Sequence, residues 1–392
     1  MRPEEWGGRP VWAEVDLDAI AHNVRLLAAR AAPATLWAVV KANAYGHGAV
    51  AVGRAALDAG AGALAVAAVD EAEELRLAAI DAPIAVVGYT PPTDAERAAR
   101  LGLRVTVGSV ELLDALGQAA HRRGSSIMVD LELESGLNRH GLTPDSLVVL
   151  AGRARATAGV KVQGIFTHFA AAEEGDQRFT RKQFDVLRSV ASRLPWVPEK
   201  HCSASASLLV DPEMNLDVVR TGLSVYGYRP APWCGTDTDL RPALSLRTRI
   251  ARVEDVERGG TVGYGRTWAA SRVSRIALLM AGYADGYRRN LSNRAHVLVG
   301  GRRAPVVGRI AMDMCMVDVT AVPEAEVGGV ATLIGQDGEE RVDADELAAL
   351  GDTISWEILS GISARVPRLY IRGGEVASIT TLTARDRLAP PA

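Results

Sequence analysis

Residues 36–41 read Leu36-Trp37-Ala38-Val39-Val40-Lys41, an apolar run closed by a lysine. An unbroken apolar run of this length fits a strand covered on both faces, as strands of parallel sheets are. Further short, mainly apolar runs follow: Ala63–Ala68, Ile84–Val87, Leu103–Val107, Ile127–Leu131, Val162–Phe166, Glu199–Cys202 and Asp217–Arg220. The last two are short and carry charge, so they read weakly. Between the runs lie segments such as Asp70–Ile80, Val110–Arg123 and Phe179–Leu194, charged on one face and rich in Ala or Leu on the other, which predicts helices. Strands joined by helices give parallel crossovers. Eight such units predict an α/β fold, a (β/α)8 barrel of the TIM type. A doubly wound open sheet is the alternative the pattern allows.

The pattern then changes. Tyr226 to Pro242 is rich in Gly, Pro and Thr and reads as a linker. Beyond it apolar residues alternate with period two over Leu244–Val256, Arg275–Met280, His296–Val299 and Met314–Val319, which predicts strands exposed on one face. The expected organisation is a barrel over 1–241 followed by a mainly β domain over 242–392. A chain of 392 residues exceeds one compact core, in keeping with that division.

Composition excludes several classes of function. A net charge of −3 builds no surface for nucleic acid. No apolar run approaches the roughly 18 to 20 residues that span a bilayer. The stretch Met1–Trp12 is polar and lacks the apolar core of a secretory leader. Cys202, Cys234 and Cys315 are odd in number and scattered, giving neither a disulfide framework nor paired metal-ligand spacing. The expectation is a cytoplasmic enzyme without a metal.

Of the 44 basic residues only Lys41, Lys161, Lys182 and Lys200 are lysines, and Lys41 closes an apolar strand. Reactive groups of a barrel sit at the C-terminal ends of its strands. A lysine there forms a Schiff base with a carbonyl compound once its amine loses its proton, which desolvation and nearby cations favour. Taken alone, Lys41 reads more readily as a surface lysine with a buried stem.

The run Ala38-Val39-Val40-Lys41-Ala42-Asn43-Ala44-Tyr45-Gly46-His47-Gly48 resembles the cofactor-lysine motif of alanine racemases. Asp16-Leu17-Asp18-Ala19-Ile20 resembles their N-terminal entry helix. Gly282-Tyr283-Ala284-Asp285-Gly286-Tyr287 and Val307-Gly308-Arg309-Ile310-Ala311-Met312-Asp313 resemble their β-domain signatures, and Arg365-Val366-Pro367-Arg368 their C-terminal mark. The resemblance covers nearly the whole chain in order. It implies a fold-type III pyridoxal 5'-phosphate enzyme that racemises a small amino acid, alanine first, for D-alanine biosynthesis, as a homodimer with shared active sites.

The resemblance also implies a role for each matching residue. Lys41 would hold the cofactor. Arg220 would face the pyridine nitrogen, where a permanent positive charge opposes a second one on the ring. Ser205, the backbone of Gly222 and Leu223, and Tyr45 would meet the phosphate, with Trp356 in the place of a further phosphate-binding tyrosine. Lys41 and Tyr264 of the partner subunit would be the two bases, one for each face of the substrate. His168 would link that tyrosine to Arg220. Arg139 would approach the cofactor's phenolic oxygen and the substrate carboxylate, which the backbone N–H of the partner's Met312 would also meet.

The sequence departs from the family pattern in places. Many members carry a carbamylated lysine seven residues before the arginine, and here that position is Glu132. A carboxylate keeps the negative sign, so Glu132 is expected to be ionised and hydrogen-bonded to Arg139. Asn138 stands where glycine is usual, Ala204 replaces an asparagine, Ala311 a cysteine and Trp356 a tyrosine. These departures leave two rivals: a racemase for another small amino acid such as serine, from natural-product chemistry or tolerant of an inhibitor, and a fold-type III amino-acid decarboxylase. Arg220 argues against the decarboxylase, which places a carboxylate at the ring nitrogen. A non-enzymatic cofactor carrier would be a single barrel without the domain that holds Tyr264 and Met312.

Overall fold

The computed structural model describes residues 1–383 and the short strand Arg387–Leu388. The chain forms two compact units. One comprises Ala19–Ala44 and Ala49–Arg241. The other comprises Met1–Asp18, Tyr45–Gly48 and the chain from Pro242 onward.

The first unit is the expected barrel. Strand β1 (Val11–Asp16) lies outside it, and its own strands are β2 (Thr35–Val39), β3 (Ala63–Val66), β4 (Ile84–Val86), β5 (Arg104–Val107), β6 (Ile127–Glu132), β7 (Val160–Phe166), β8 (Glu199–His201) and β9 (Val218–Thr221). They are parallel, in the order β8-β7-β6-β5-β4-β3-β2-β9. Between β8 and β9 the ring is closed by two hydrogen bonds, Asp217 N–H to Lys200 O at 3.1 Å and Arg220 N–H to Ser203 O at 3.0 Å. Helices follow the apolar periodicity. In Val110–Arg122, Ser109 caps the N-terminus by accepting from the Leu112 N–H, and Leu112, Leu113, Leu116, Ala119 and Ala120 are buried.

The barrel interior is not wholly aliphatic. Arg104 and Asp130, the charges inside two apolar runs, form a buried bidentate pair at 2.6 Å. Arg104 also donates to Glu199 at 2.7 Å and stacks 4.6 Å from the Trp37 ring centroid. Neutralising both charges and filling their hydrogen-bonding capacity makes such a pair tolerable in a core. Gly164 makes room for it, since a Cβ there would lie 2.5 Å from Asp130 Oδ1.

In the second unit Leu244–Val256 forms one long strand of an eleven-stranded sheet. Its first half pairs antiparallel with β1 and its second half with Ser274–Leu279. Strand β1 also runs parallel to Arg368–Arg372. The N-terminal residues therefore belong with the β unit, a correction to the expected barrel span of 1–241. The physical reason is burial: Trp12 packs with Leu369, Val376 and Ile379 in a core of that sheet, and Val11, Ala13 and Val15 are buried as well. The expected linker differs as well. Up to Arg241 it belongs to the barrel unit, with Tyr226 donating to Val39 O at 2.7 Å and Arg229 to Thr238 O at 2.7 Å. Among the described residues no helix is long and apolar enough to cross a membrane.

Candidate active site

The barrel side chains expected to carry the chemistry come from the ends of several strands. Lys41 stands just beyond β2, Glu132 ends β6, Arg139 lies in the loop after it, His168 follows β7, Ser205 follows β8, and Arg220 lies in β9 with Gly222 beyond it. All are at C-terminal ends, where strand-to-helix loops converge.

The chain after Lys41 is strained. Ala42, Asn43, Ala44 and Tyr45 have φ of 53°, 53°, 52° and 51°, a run of left-handed residues without a glycine. Each costs about 1–2 kcal/mol in an L-residue, so the surroundings must hold the turn. Glu71 does part of this: its carboxylate accepts from the Ala42 N–H and from the Ala67 N–H, each at 2.7 Å. The Asn43 side chain accepts from the Ala49 N–H at 2.9 Å. Within the β unit, Gly46 O accepts two hydrogen bonds from buried Arg368, which also donates to the carbonyls of Ile362, Ser363 and Val366. Burial, followed by the Arg139 charge, pulls the Lys41 amine below its ordinary range, and Glu71 opposes this. A larger share of Lys41 is thereby available as a free amine.

Arg220 is buried and, among the described residues, hydrogen-bonds no carboxylate. It contacts His201 Nδ1 and donates to Thr167 O at 3.0 Å, with its guanidinium 4.8 Å from the Phe166 ring centroid. Burial brings it down to about 10, which leaves it charged at neutral pH. Because Arg220 donates to Nδ1, the proton of a neutral His201 ring is on Nε2, facing Asp130 Oδ2 at 4.0 Å. His201 was missed as a site residue by the sequence reading, which gave the link to Arg220 to His168. The available signal was a lone histidine ending a barrel strand. Burial, then the Arg220, Arg139 and Lys41 charges, pull His168 down to about 3, so its ring is neutral at neutral pH.

Ser205 Oγ accepts from the Gly222 N–H at 3.1 Å and the Ser224 N–H at 3.4 Å. A hydroxyl and backbone N–H groups drawn together in this way are the donors a phosphate requires. Leu223 is buried beside them at the start of a 3-10 turn. Glu132 is buried, and its Oε1 lies 3.8 Å from Arg139 Nη2. That is an ion pair beyond hydrogen-bond reach, which corrects the expected direct bond. The closer neighbour is His140, whose Nδ1 lies 2.6 Å from Glu132 Oε2. Asn138 has φ 54°, which explains the departure from glycine, since asparagine is among the few side chains that tolerate this region.

The remaining expected residues lie in the β unit. Tyr45 is buried there, and burial raises its phenol to about 12. Trp356 is half-buried in the helix Ser355–Ser360. Tyr264 and Met312 are exposed, and the Met312 carbonyl accepts from the Ala284 N–H at 2.9 Å.

Family models for the alanine racemase N-terminal and C-terminal domains match residues 15–230 and 243–370. The chain belongs to the alanine racemase family. It is 44% identical to the alanine racemase of Symbiobacterium thermophilum, over 95% of this chain and 99% of that protein. Among solved structures, alanine racemase from the D-cycloserine producer Streptomyces lavendulae superimposes with a TM-score of 0.90 at 39% identity, covering 94% of this chain and 98% of that one. The Bacillus anthracis alanine racemase with bound L-Ala-P gives 0.89 at 36% identity, covering 96% and 98%. The family membership, the barrel with a following β domain, and the assignment as an amino-acid racemase thus agree with the motif reading.

Proposed function

We propose that this chain interconverts L- and D-alanine with pyridoxal 5'-phosphate, as a homodimer whose sites are shared between subunits. The observation that carries the reading is the meeting, at one end of a barrel, of a desolvated lysine and a buried arginine without a carboxylate bond. The residues fit the cofactor: an amine with a lowered pKa for its aldehyde, Ser205 with the Gly222 and Leu223 backbone for its phosphate, and Arg220 for its ring nitrogen. Tyr45 and Trp356 complete the phosphate set in this reading. When bound, the cofactor supplies the electron withdrawal that loosens the substrate's α-proton.

The protein's own groups supply the rest. Lys41 holds and releases the cofactor and moves a proton at Cα on one face. Tyr264 of the partner subunit does so on the other face, because inversion at a planar centre requires a proton delivered from the face opposite to Lys41. Exposed Tyr264 and Met312 suit residues that a partner covers. Arg139, together with the backbone N–H of the partner's Met312, orients the substrate carboxylate. Neutral His168 places no further positive charge beside Arg220. Arg220 remains charged and opposes a second charge on the ring, which favours return of the α-proton over loss of CO2. The three cysteines are free and buried, in keeping with a reducing cytoplasm.

The test is chemical. Borohydride reduction of the purified holoprotein, followed by peptide mapping, should fix the cofactor on Lys41. An adduct on Lys161, Lys182 or Lys200 instead would overturn the assignment.

A further inference from the structure

His140 was not singled out by the sequence, yet it makes the closest charged contact to Glu132. Glu132 is 4% exposed, and its Oε2 is closed to water. His140 Nδ1 lies 2.6 Å from that oxygen, although its N–H direction makes no aligned hydrogen bond there. Two lone pairs cannot face each other at this distance, so a proton belongs between the two atoms. The other carboxylate oxygen faces Arg139 at 3.8 Å. The remaining charges acting on Glu132 are Arg220, from β9, and Glu134, two residues along its own chain.

We propose that His140 is a positioning residue: it and Glu132 share a proton and act as one unit that holds Arg139 toward the substrate carboxylate. This rests on the reading of Arg139 as the residue that meets that carboxylate. Ionised, the Glu132 carboxylate pairs with Arg139; protonated, it ceases to anchor the guanidinium. Burial raises the pKa of Glu132 and the charges of His140, Arg139 and Arg220 oppose the rise, so removing His140 strips away the largest of the opposing charges. A carboxylate left in that position takes up its proton more readily and ceases to hold the guanidinium.

Two measurements test this on the full-length holoprotein. The first does not depend on turnover. In protein labelled with 13C at the glutamate carboxyl, the resonance lost in Glu132→Gln identifies Glu132. In His140→Leu its titration midpoint should move up by about one pH unit or more, as loss of a cationic neighbour dictates. An unchanged or lowered midpoint overturns the proposal. The second is a kinetic cycle with L-alanine. His140→Leu should raise KM more than it lowers kcat. Adding it to Glu132→Gln should change kcat/KM by less than about threefold, because coupled residues are non-additive. Losses that multiply would overturn the proposal.

His140→Asn keeps a donor near the Nδ1 position and should recover most of the KM. If His140→Asn is folded, with the wild-type melting temperature, and is as impaired as His140→Leu, the donor role is refuted. A wild-type protein that racemises no amino acid would sink the functional reading instead, and the carboxyl titration would still decide the pair.

Discussion

The left-handed turn after Lys41 gives the sharpest prediction. Glu71→Ala removes the carboxylate that accepts the Ala42 and Ala67 N–H groups at 2.7 Å each. Hydrogen bonds to a charged acceptor contribute about 1.5–3 kcal/mol each, so the pair is worth at least about 3 kcal/mol if dry. Water reaches the Ala42 side, so about 2 kcal/mol is the expected loss there. The turn has four residues at φ near 50° and little to spare against their strain. Amide exchange of Ala42 and Ala67 should then quicken by roughly 30-fold, since each 1.4 kcal/mol is a factor of ten. Exchange in the distant helix Val110–Arg122 should not change. Racemisation should fall with it, because Lys41 is carried on the same turn. Glu71→Gln keeps one acceptor and should fall between wild type and alanine. Unaltered exchange at Ala42 in Glu71→Ala would refute the idea that this carboxylate holds the turn.

Other perturbations probe separate parts of the site. Glu132→Gln should raise the KM for L-alanine by about tenfold, roughly 1.4 kcal/mol, while added bicarbonate leaves wild-type activity unchanged; a bicarbonate response would contradict a carboxylate in this role. Mixed Lys41→Ala and Tyr264→Phe subunits should recover activity by forming one intact site per heterodimer, and no recovery after verified exchange would argue against shared sites. Stability should drop as pH falls from 7.5 to 5.5: His168, held at about 3 in the fold, stays neutral while the unfolded chain takes up a proton near the ordinary histidine value of about 6.5. The urea midpoint measures this, and His168→Asn should lessen the drop; identical slopes with and without His168 would count against its desolvation.

Much of the barrel was legible because its strands are buried on both faces and read as unbroken apolar runs, Leu36–Val40 most clearly. Glu199–His201 read weakly because it lies where the ring closes through isolated hydrogen bonds rather than a full ladder. Strand β1 was overlooked because it is short and pairs with residues more than two hundred positions away, so nothing local signals its partners. Arg104 and Asp130 interrupt two of the apolar runs, and only the fold brings them together. The site residues at strand ends were visible as motifs. The identity of their nearest partners was not: Arg220 contacts His201, and His140 approaches Glu132 more closely than Arg139 does. Such contacts depend on side-chain reach across loops, which spacing along the chain does not encode.

The central claim is that this chain racemises alanine through Lys41 and a second base. The direct measurement follows the purified holoprotein in deuterated water, starting separately from L- and D-alanine, with α-proton exchange read by NMR and chirality by optical rotation. The account predicts exchange from both enantiomers, convergence on zero rotation, no release of CO2, and loss of all of these in Lys41→Ala. For Tyr264→Phe it predicts a loss of exchange far larger from one enantiomer than from the other, on the scale of about 10²- to 10⁴-fold that a general base contributes. Release of CO2, or full retention of activity in Lys41→Ala, would contradict it.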